Sequence, residues 1–115
     1  FIDYFDLFVG NYDLRVLIEA IRRVGFDVRQ VDFYREHLST LPWDSYFGLL
    51  INLSQRHWYT IKNLNGIYYN LDSTLRKPIQ IGDRHQLIDY LTKLIHRYHQ
   101  VYLFVVMQEQ QMDRT

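Results

Sequence analysis

Apolar residues recur at helical spacing in two stretches of the chain. In the first, they stand at positions i, i+3, i+4 and i+7, namely Leu14, Leu17, Ile18 and Ile21. This is the pattern of an amphipathic helix with one buried stripe. Gly25 follows the stripe and suits the left-handed residue that ends many helices. The pattern predicts a helix from about residue 14 to the residue before Gly25.

The second helical stretch begins with its own capping signal. Asp83 is followed three residues later by Gln86, the spacing of a capping box. The apolar stripe that follows is Leu87, Leu91, Leu94 and Tyr98. We expect a helix that starts after Asp83 and buries this stripe.

The segments between and after the helices have the patterns of strands and loops. We expect strands at 26–33, 46–53, 57–63, 67–72 and 101–106, loops at 34–45 and around Pro78 and Gly82, and a polar tail over 107–115. The run 46–53 is almost continuously apolar, as in a strand that is covered on both faces. This order of elements predicts an α+β domain with a mostly antiparallel sheet and flanking helices.

Two of these strands are joined by Asn65-Gly66, which favours the type I′ turn of a tight hairpin. Counting back from Leu64 opposite Ile67 places Tyr59 opposite Asp72 and His57 opposite Thr74. His57 and Asp72 then lie diagonally on one face, with Cα atoms roughly 7–8 Å apart, and Asn70 shares that face.

An imidazole and a carboxylate at this separation can form a hydrogen bond. The carboxylate then fixes the tautomer of the ring and leaves its other nitrogen free to accept a proton, as in the base and orienting group of a catalytic triad. A surface hydrogen bond with no catalytic role has the same pattern, and from the spacing alone both interpretations stand. On the opposite face of the strand, Trp58 is expected to anchor it in the core.

Composition narrows the possible functions. Basic and acidic residues balance at 13 each, which does not favour a nucleic-acid-binding surface. There is no cysteine, so these residues hold neither a disulfide nor a cysteine nucleophile; this suits a reducing compartment such as the cytoplasm or nucleus. No apolar run has the ~20 residues that a membrane span needs. His96 and His99 have a spacing that can hold zinc, but no acidic ligand completes the set, and we expect no metal and no cofactor.

Several segments together resemble the Josephin family of papain-like cysteine deubiquitinases. They are Gly10-Asn11-Tyr12-Asp13-Leu14, the helix 16–24, Arg56-His57-Trp58, Tyr68-Tyr69-Asn70-Leu71-Asp72-Ser73 and Ile81-Gly82-Asp83. The resemblance covers residues 10–106 of what we expect to be one partial domain. It implies a papain-like fold, His57 as the catalytic histidine, Asp72 as the third triad member (Asn or Asp in the family), and ubiquitin or a ubiquitinated protein as partner.

The family's cysteine and its neighbouring glutamine belong to an N-terminal helical part that has no counterpart here. The aromatic start of the chain, with Phe1, Tyr4, Phe5 and Phe8, is typical of the interior of a longer protein or of a surface that contacts a larger assembly. Two hypotheses follow. The chain is part of a thiol-dependent deubiquitinase whose nucleophile lies upstream, or it is a catalytically inactive ubiquitin-binding or scaffold subunit.

Overall fold

The structure, a computed structural model, describes residues 14–54 and 56–108, and within them six strands and two α-helices. The helices are α1 (Leu14–Arg23) and α2 (Arg84–Arg97). The strands are β1 (Phe26–Gln30), β2 (Gly48–Leu53), β3 (His57–Leu64), β4 (Ile67–Asn70), β5 (Ile79–Gly82) and β6 (Val101–Gln108).

The strands form one sheet in the order β1-β6-β2-β3-β4-β5, and every neighbouring pair is antiparallel. The helices pack against opposite faces. Leu17 and Ile21 of α1 join one buried cluster, and Leu87 and Leu91 of α2 join the other. The predicted α+β architecture with an antiparallel sheet and flanking helices is confirmed.

The central strand β2 contributes to both clusters. Leu49 and Ile51 face α2, whereas Leu50 faces α1, and all three are almost completely buried. This is why the sequence there is continuously apolar rather than alternating. The same two-sided burial explains Val28 and Val31, which stand three positions apart and belong to opposite clusters.

The end of β1 and the beginning of β2, on either side of the loop that joins them, are shorter than predicted. β1 ends at Gln30 instead of residue 33, although Val31 N–H still donates to Leu103 O at 2.9 Å. β2 begins at Gly48 instead of residue 46, because the loop ends in a 3-10 turn over Trp43–Ser45. The fully buried Trp43 holds this loop by donating from Nε1 to Leu38 O at 2.7 Å.

The hairpin between β3 and β4 has the predicted register. Asn65 and Gly66 both have positive φ, +55° and +87°, as a type I′ turn requires. Leu64 pairs with Ile67, and the ladder continues to Ile61 opposite Asn70.

The ladder then stops earlier than expected, because β4 ends at Asn70 and not at residue 72. Leu71 N–H still donates to Thr60 O, but the next amide, that of Asp72, donates to Asn70 Oδ1 at 2.9 Å. Asp72 O in turn accepts from Leu75 N–H, which closes a turn. The expected pairing of Tyr59 with Asp72 is therefore replaced by side-chain contacts.

Strand β5 was not predicted. Its sequence, Ile79–Gly82, follows Pro78 and ends in a glycine with φ of +128°, so the local pattern is that of a loop. It becomes a strand because it pairs with the free edge of β4. The register of this pairing shifts between Tyr68 and Tyr69.

Helix α2 starts as predicted. Asp83 Oδ1 accepts from Gln86 N–H at 3.1 Å, and Gln86 Oε1 accepts from Asp83 N–H at 2.8 Å, which completes the capping box. At the end of α1, Gly25 has φ of +91°, as expected of a left-handed terminating residue. Neither described helix has the length and apolarity to span a bilayer. β6 extends two residues beyond the predicted strand, to Gln108.

We predict that Gly66→Ala lowers the free energy of unfolding by about 1 kcal/mol, because a side chain at this positive φ is strained. A Cβ at this position meets no atom within 4 Å, so the effect reports backbone conformation alone. Urea unfolding measures it. Asn65→Asp, which keeps a residue suited to the turn, serves as control and should leave the midpoint nearly unchanged. Equal midpoints for Gly66→Ala and the parent would contradict this account of the turn.

Candidate active site

His57 and Asp72 meet across the open end of the β3–β4 hairpin. His57 is the first residue of β3, and Asp72 lies in the turn just after β4. His57 Nε2 lies 2.6 Å from Asp72 Oδ2, a hydrogen bond of the short, charge-assisted kind. The side chain of His57 is 38% exposed and that of Asp72 only 13%. The ring is thus open to an incoming group while its partner is shielded.

Asp72 is oriented by its own loop. Its Oδ1 accepts from Thr74 N–H and from Thr74 Oγ1–H, both at 2.9 Å. Its backbone N–H is taken by Asn70 Oδ1. Because these contacts occupy one carboxylate oxygen and the backbone amide, Oδ2 remains directed at His57.

This contact determines which ring nitrogen is available. When the carboxylate accepts from Nε2–H, the lone pair of the neutral imidazole is on Nδ1, which can accept a proton. The ring of His57 also stacks on that of Tyr59, with centroids 5.5 Å apart and planes inclined by 23°. Hydrogen bond and stacking together restrict the ring to one orientation.

The charge of Asp72 is maintained by the same contacts. Burial alone would raise the pKa of this carboxyl group, but the hydrogen bond from His57, the two from Thr74 and the charge of His57 outweigh it. The pKa of Asp72 therefore lies below its ordinary value of 3.8. At neutral pH the group is an ionised acceptor for the imidazole.

The pair lines a cleft of about 620 Å³ between the sheet and α2. The cleft combines apolar and polar side chains, and its lining residues are Leu53, His57, Tyr59, Asn70, Asp72, Thr74, Tyr90, Lys93, Leu94, Arg97 and Tyr98. Asn70, which the sequence places on this face, does line it. Its size and its combination of apolar and aromatic side chains with a few convergent polar groups are those of a ligand-binding cleft.

Sequence reasoning did not single out Tyr90, Lys93 and Arg97. The available signal was helical spacing, because Lys93 and Leu94 each stand three or four positions from both Tyr90 and Arg97, which places all four along one face of α2. The pattern shows that they share a face, but only the packing of α2 against the sheet shows that the face borders His57 and Asp72.

Trp58 points away from the cleft, as predicted from strand alternation. Its ring stacks on Phe104 of β6 with centroids 5.8 Å apart, within the cluster that α1 covers. This contact fixes the first residues of β3 from the opposite face of the sheet, and so it positions the backbone that carries His57.

The remaining histidines, His37, His85, His96 and His99, are all exposed. His96 Nδ1–H donates to Thr92 O of its own helix at 2.8 Å. In the part of the chain that the structure describes, no three His, Asp or Glu side chains gather as metal ligands would. Phe1, Tyr4, Phe5 and Phe8 lie outside the described residues, and their contact with a larger assembly stays a prediction.

Fold and cleft together define an antiparallel α+β domain with a histidine–carboxylate pair at the mouth of a cleft. The family model described as Josephin matches residues 4–107, and the chain belongs to the Josephin family.

Curated relatives agree with this assignment. A Josephin-like protein of Drosophila melanogaster is 32% identical over 120 residues, covering 88% of this chain and 51% of that protein. Josephin-2 of Mus musculus is 37% identical over 87 residues, covering 64% of this chain and 46% of that protein. A Josephin-like protein of Arabidopsis thaliana is 30% identical over 96 residues, covering 71% of this chain and 26% of that protein. The chain spans about half the length of the first two.

We predict that Asp72→Asn lowers the free energy of unfolding at neutral pH and that the difference from the parent shrinks as the pH falls below about 4. The sign follows from the lowered pKa of Asp72 in the folded state: the ionised carboxylate stabilises the fold above its unfolded-state pKa, and this contribution is lost as protonation proceeds. Urea unfolding between pH 7 and about pH 2 measures the difference.

Asp44→Asn is the control for loss of one negative charge, because Asp44 is exposed in the 3-10 turn before β2. If the free energies of unfolding of the parent and Asp72→Asn differed by the same amount at every pH, this would contradict the role of the ionised carboxylate.

Proposed function

We propose that this chain supplies the general base and its orienting group to a thiol-dependent ubiquitinyl hydrolase. The observation that carries the proposal is the 2.6 Å contact between His57 Nε2 and Asp72 Oδ2 at the wall of the cleft, in a chain of the Josephin family. The nucleophile of this proposal is a cysteine outside these 115 residues, which contain none.

His57 would act first as base and then as acid. Nδ1 takes the proton of the cysteine thiol, and the thiolate attacks the carbonyl carbon of the bond that joins ubiquitin to its partner. As the tetrahedral intermediate collapses, the imidazolium returns the proton to the leaving amine, and a thioester remains on the cysteine. Water then attacks this thioester with His57 again taking the proton, so that the free carboxylate and thiol are released.

Asp72 would serve the same cycle in two ways. Its carboxylate holds Nε2–H and so keeps the lone pair on Nδ1, and its negative charge stabilises the imidazolium that forms. A stable imidazolium also favours the ion pair of thiolate and protonated histidine, which is the reactive state of such cysteines. The lowered pKa of Asp72 ensures that this charge is present at neutral pH.

A non-catalytic ubiquitin-binding or scaffold subunit is the second candidate, and the absence of cysteine from the 115 residues favours it. The reading frame upstream of Phe1 discriminates between the two. A cysteine at the start of an apolar helix supports the hydrolase, and labelling of the intact protein by a ubiquitin-based cysteine probe is the corresponding biochemical result. Neither a cysteine nor labelling is expected of the scaffold. A cytoplasmic or nuclear location stays a prediction.

We predict that Asp72→Ala in the intact protein lowers kcat on a fluorogenic ubiquitin substrate by about 100-fold or more, because the imidazole loses both its orientation and its counter-charge. Asp72→Asn should retain considerably more activity than Asp72→Ala. Its side-chain oxygen can still accept from Nε2–H, although the charge is lost and the amide nitrogen cannot accept from Thr74 as Oδ1 does.

The matched control is Ser73→Ala, an exposed neighbour in the same turn, which should leave kcat unchanged. Urea unfolding and circular dichroism verify that each variant is folded under assay conditions. Equal rates for Asp72→Ala and the parent would exclude the proposed role of Asp72.

A further inference from the structure

Beneath the His57–Asp72 pair, two phenol groups join the sheet to α2. Tyr59 OH of β3 and Tyr90 OH of α2 lie 2.6 Å apart. Asn70 Nδ2 donates to Tyr90 OH at 3.4 Å, while Asn70 Oδ1 accepts from Asp72 N–H at 2.9 Å. A continuous series of contacts therefore leads from α2 through Asn70 to the backbone of Asp72.

Asp72 depends on such contacts because it lies beyond the last residue of β4. No ladder pair fixes its position, in contrast to Asn70, which pairs with Ile61. The amide group of Asn70 can hold Asp72 N–H with its oxygen only while its nitrogen faces the other way, towards Tyr90. Without the hydroxyl of Tyr90, the nitrogen loses its acceptor and the amide loses the constraint on its orientation.

Tyr90 also reaches the other member of the pair. The ring of Tyr59 stacks on His57, and its hydroxyl is held by Tyr90. No hydrogen bond joins Tyr90 directly to His57 or Asp72, yet Tyr90 is linked to both by one intermediate residue each, Tyr59 on one side and Asn70 on the other.

The two phenols are suited to this role because they stay neutral. Burial is the main cause that raises the pKa of Tyr59 and of Tyr90, and the nearby charge of Asp72 raises both further. Neither hydroxyl ionises near neutral pH, so the link adds no charge that would compete with Asp72 for the imidazole.

We propose that Tyr90 is a positioning residue, which sets the geometry of the His57–Asp72 pair from α2 through Asn70 and Tyr59. This inference rests on the proposed function for its kinetic consequence but not for its structural one. Tyr90→Phe in the intact protein removes only the hydroxyl. We expect it to lower kcat by about tenfold with KM unchanged, since a small displacement of a catalytic group costs rate rather than ground-state binding.

The direct readout is the tautomer of His57, measured by the 15N chemical shifts of its imidazole. The parent is expected to carry the proton on Nε2, and Tyr90→Phe to show a measurable fraction with the proton on Nδ1. A double-mutant cycle tests the route. If Tyr90 acts largely through Asn70, Tyr90→Phe should have much less effect on the tautomer in an Asn70→Ala background than in the parent.

Tyr69→Phe is the matched control. It makes the same chemical change one residue from Asn70, but Tyr69 points to the opposite face of β4, where its hydroxyl contacts Gln80 Oε1 at 3.5 Å. It should change neither kcat nor the tautomer of His57. If Tyr90→Phe does not fold, Asn70→Ala tests the step from Asn70 to Asp72 and must shift the tautomer; a parent-like tautomer in this variant would overturn the route through Asn70.

The two proposals fail in distinguishable ways. Parent-like kcat and parent-like 15N shifts in Tyr90→Phe would overturn the positioning role while leaving the hydrolase proposal intact. A parent protein without turnover or probe labelling would overturn the hydrolase proposal, and the 15N shifts of His57 would then decide the positioning role by themselves.

Discussion

The positive φ values of Asn65 and Gly66 fix how β3 lies against β4, and the candidate site depends on this register. Side chains alternate between the two faces of a strand, so a slip of one residue would turn His57 towards α1 and Trp58 towards the cleft. The register is further held from both faces. Tyr59 and Ile61 are buried in the α2 cluster, and Trp58 packs in the α1 cluster.

The sheet is covered unevenly, and this asymmetry creates the cleft. Leu87 and Leu91 of α2 are buried against the sheet, whereas Leu94 and Tyr98 further along the same stripe are only half-buried. The C-terminal half of α2 therefore leaves space over the beginning of β3 and the end of β4. Polar side chains border this space together with the apolar Leu53 and Leu94.

In the site, the surroundings of Asp72 favour its charged form, and those of Tyr59 and Tyr90 favour their neutral forms. Donors around Asp72 keep its carboxylate ionised despite partial burial, and burial keeps the phenols of Tyr59 and Tyr90 protonated. The imidazole thus has one anionic partner, Asp72, at Nε2, and it lies next to the neutral, hydrogen-bonded phenols of Tyr59 and Tyr90. For the proposed thiol-dependent hydrolase, such an arrangement suits a histidine that moves a proton to and from a sulfur atom.

Local sequence patterns were sufficient for the elements whose signals are themselves local. Helical spacing, the capping box at Asp83 and the Asn65-Gly66 turn each predicted their element, and the turn alone predicted that His57 and Asp72 share a face. Strand β5 could not be predicted, because a short segment between proline and glycine becomes a strand only when a neighbouring edge supplies its hydrogen bonds. The early end of β4 follows from contacts within residues 70–75, where Asn70 Oδ1 accepts from the Asp72 amide and Leu75 N–H closes a turn, and the strand pattern did not reveal them. The link through Tyr90 was decided by tertiary structure, because it depends on which side chains from distant segments meet, and spacing along the chain carries no information about that.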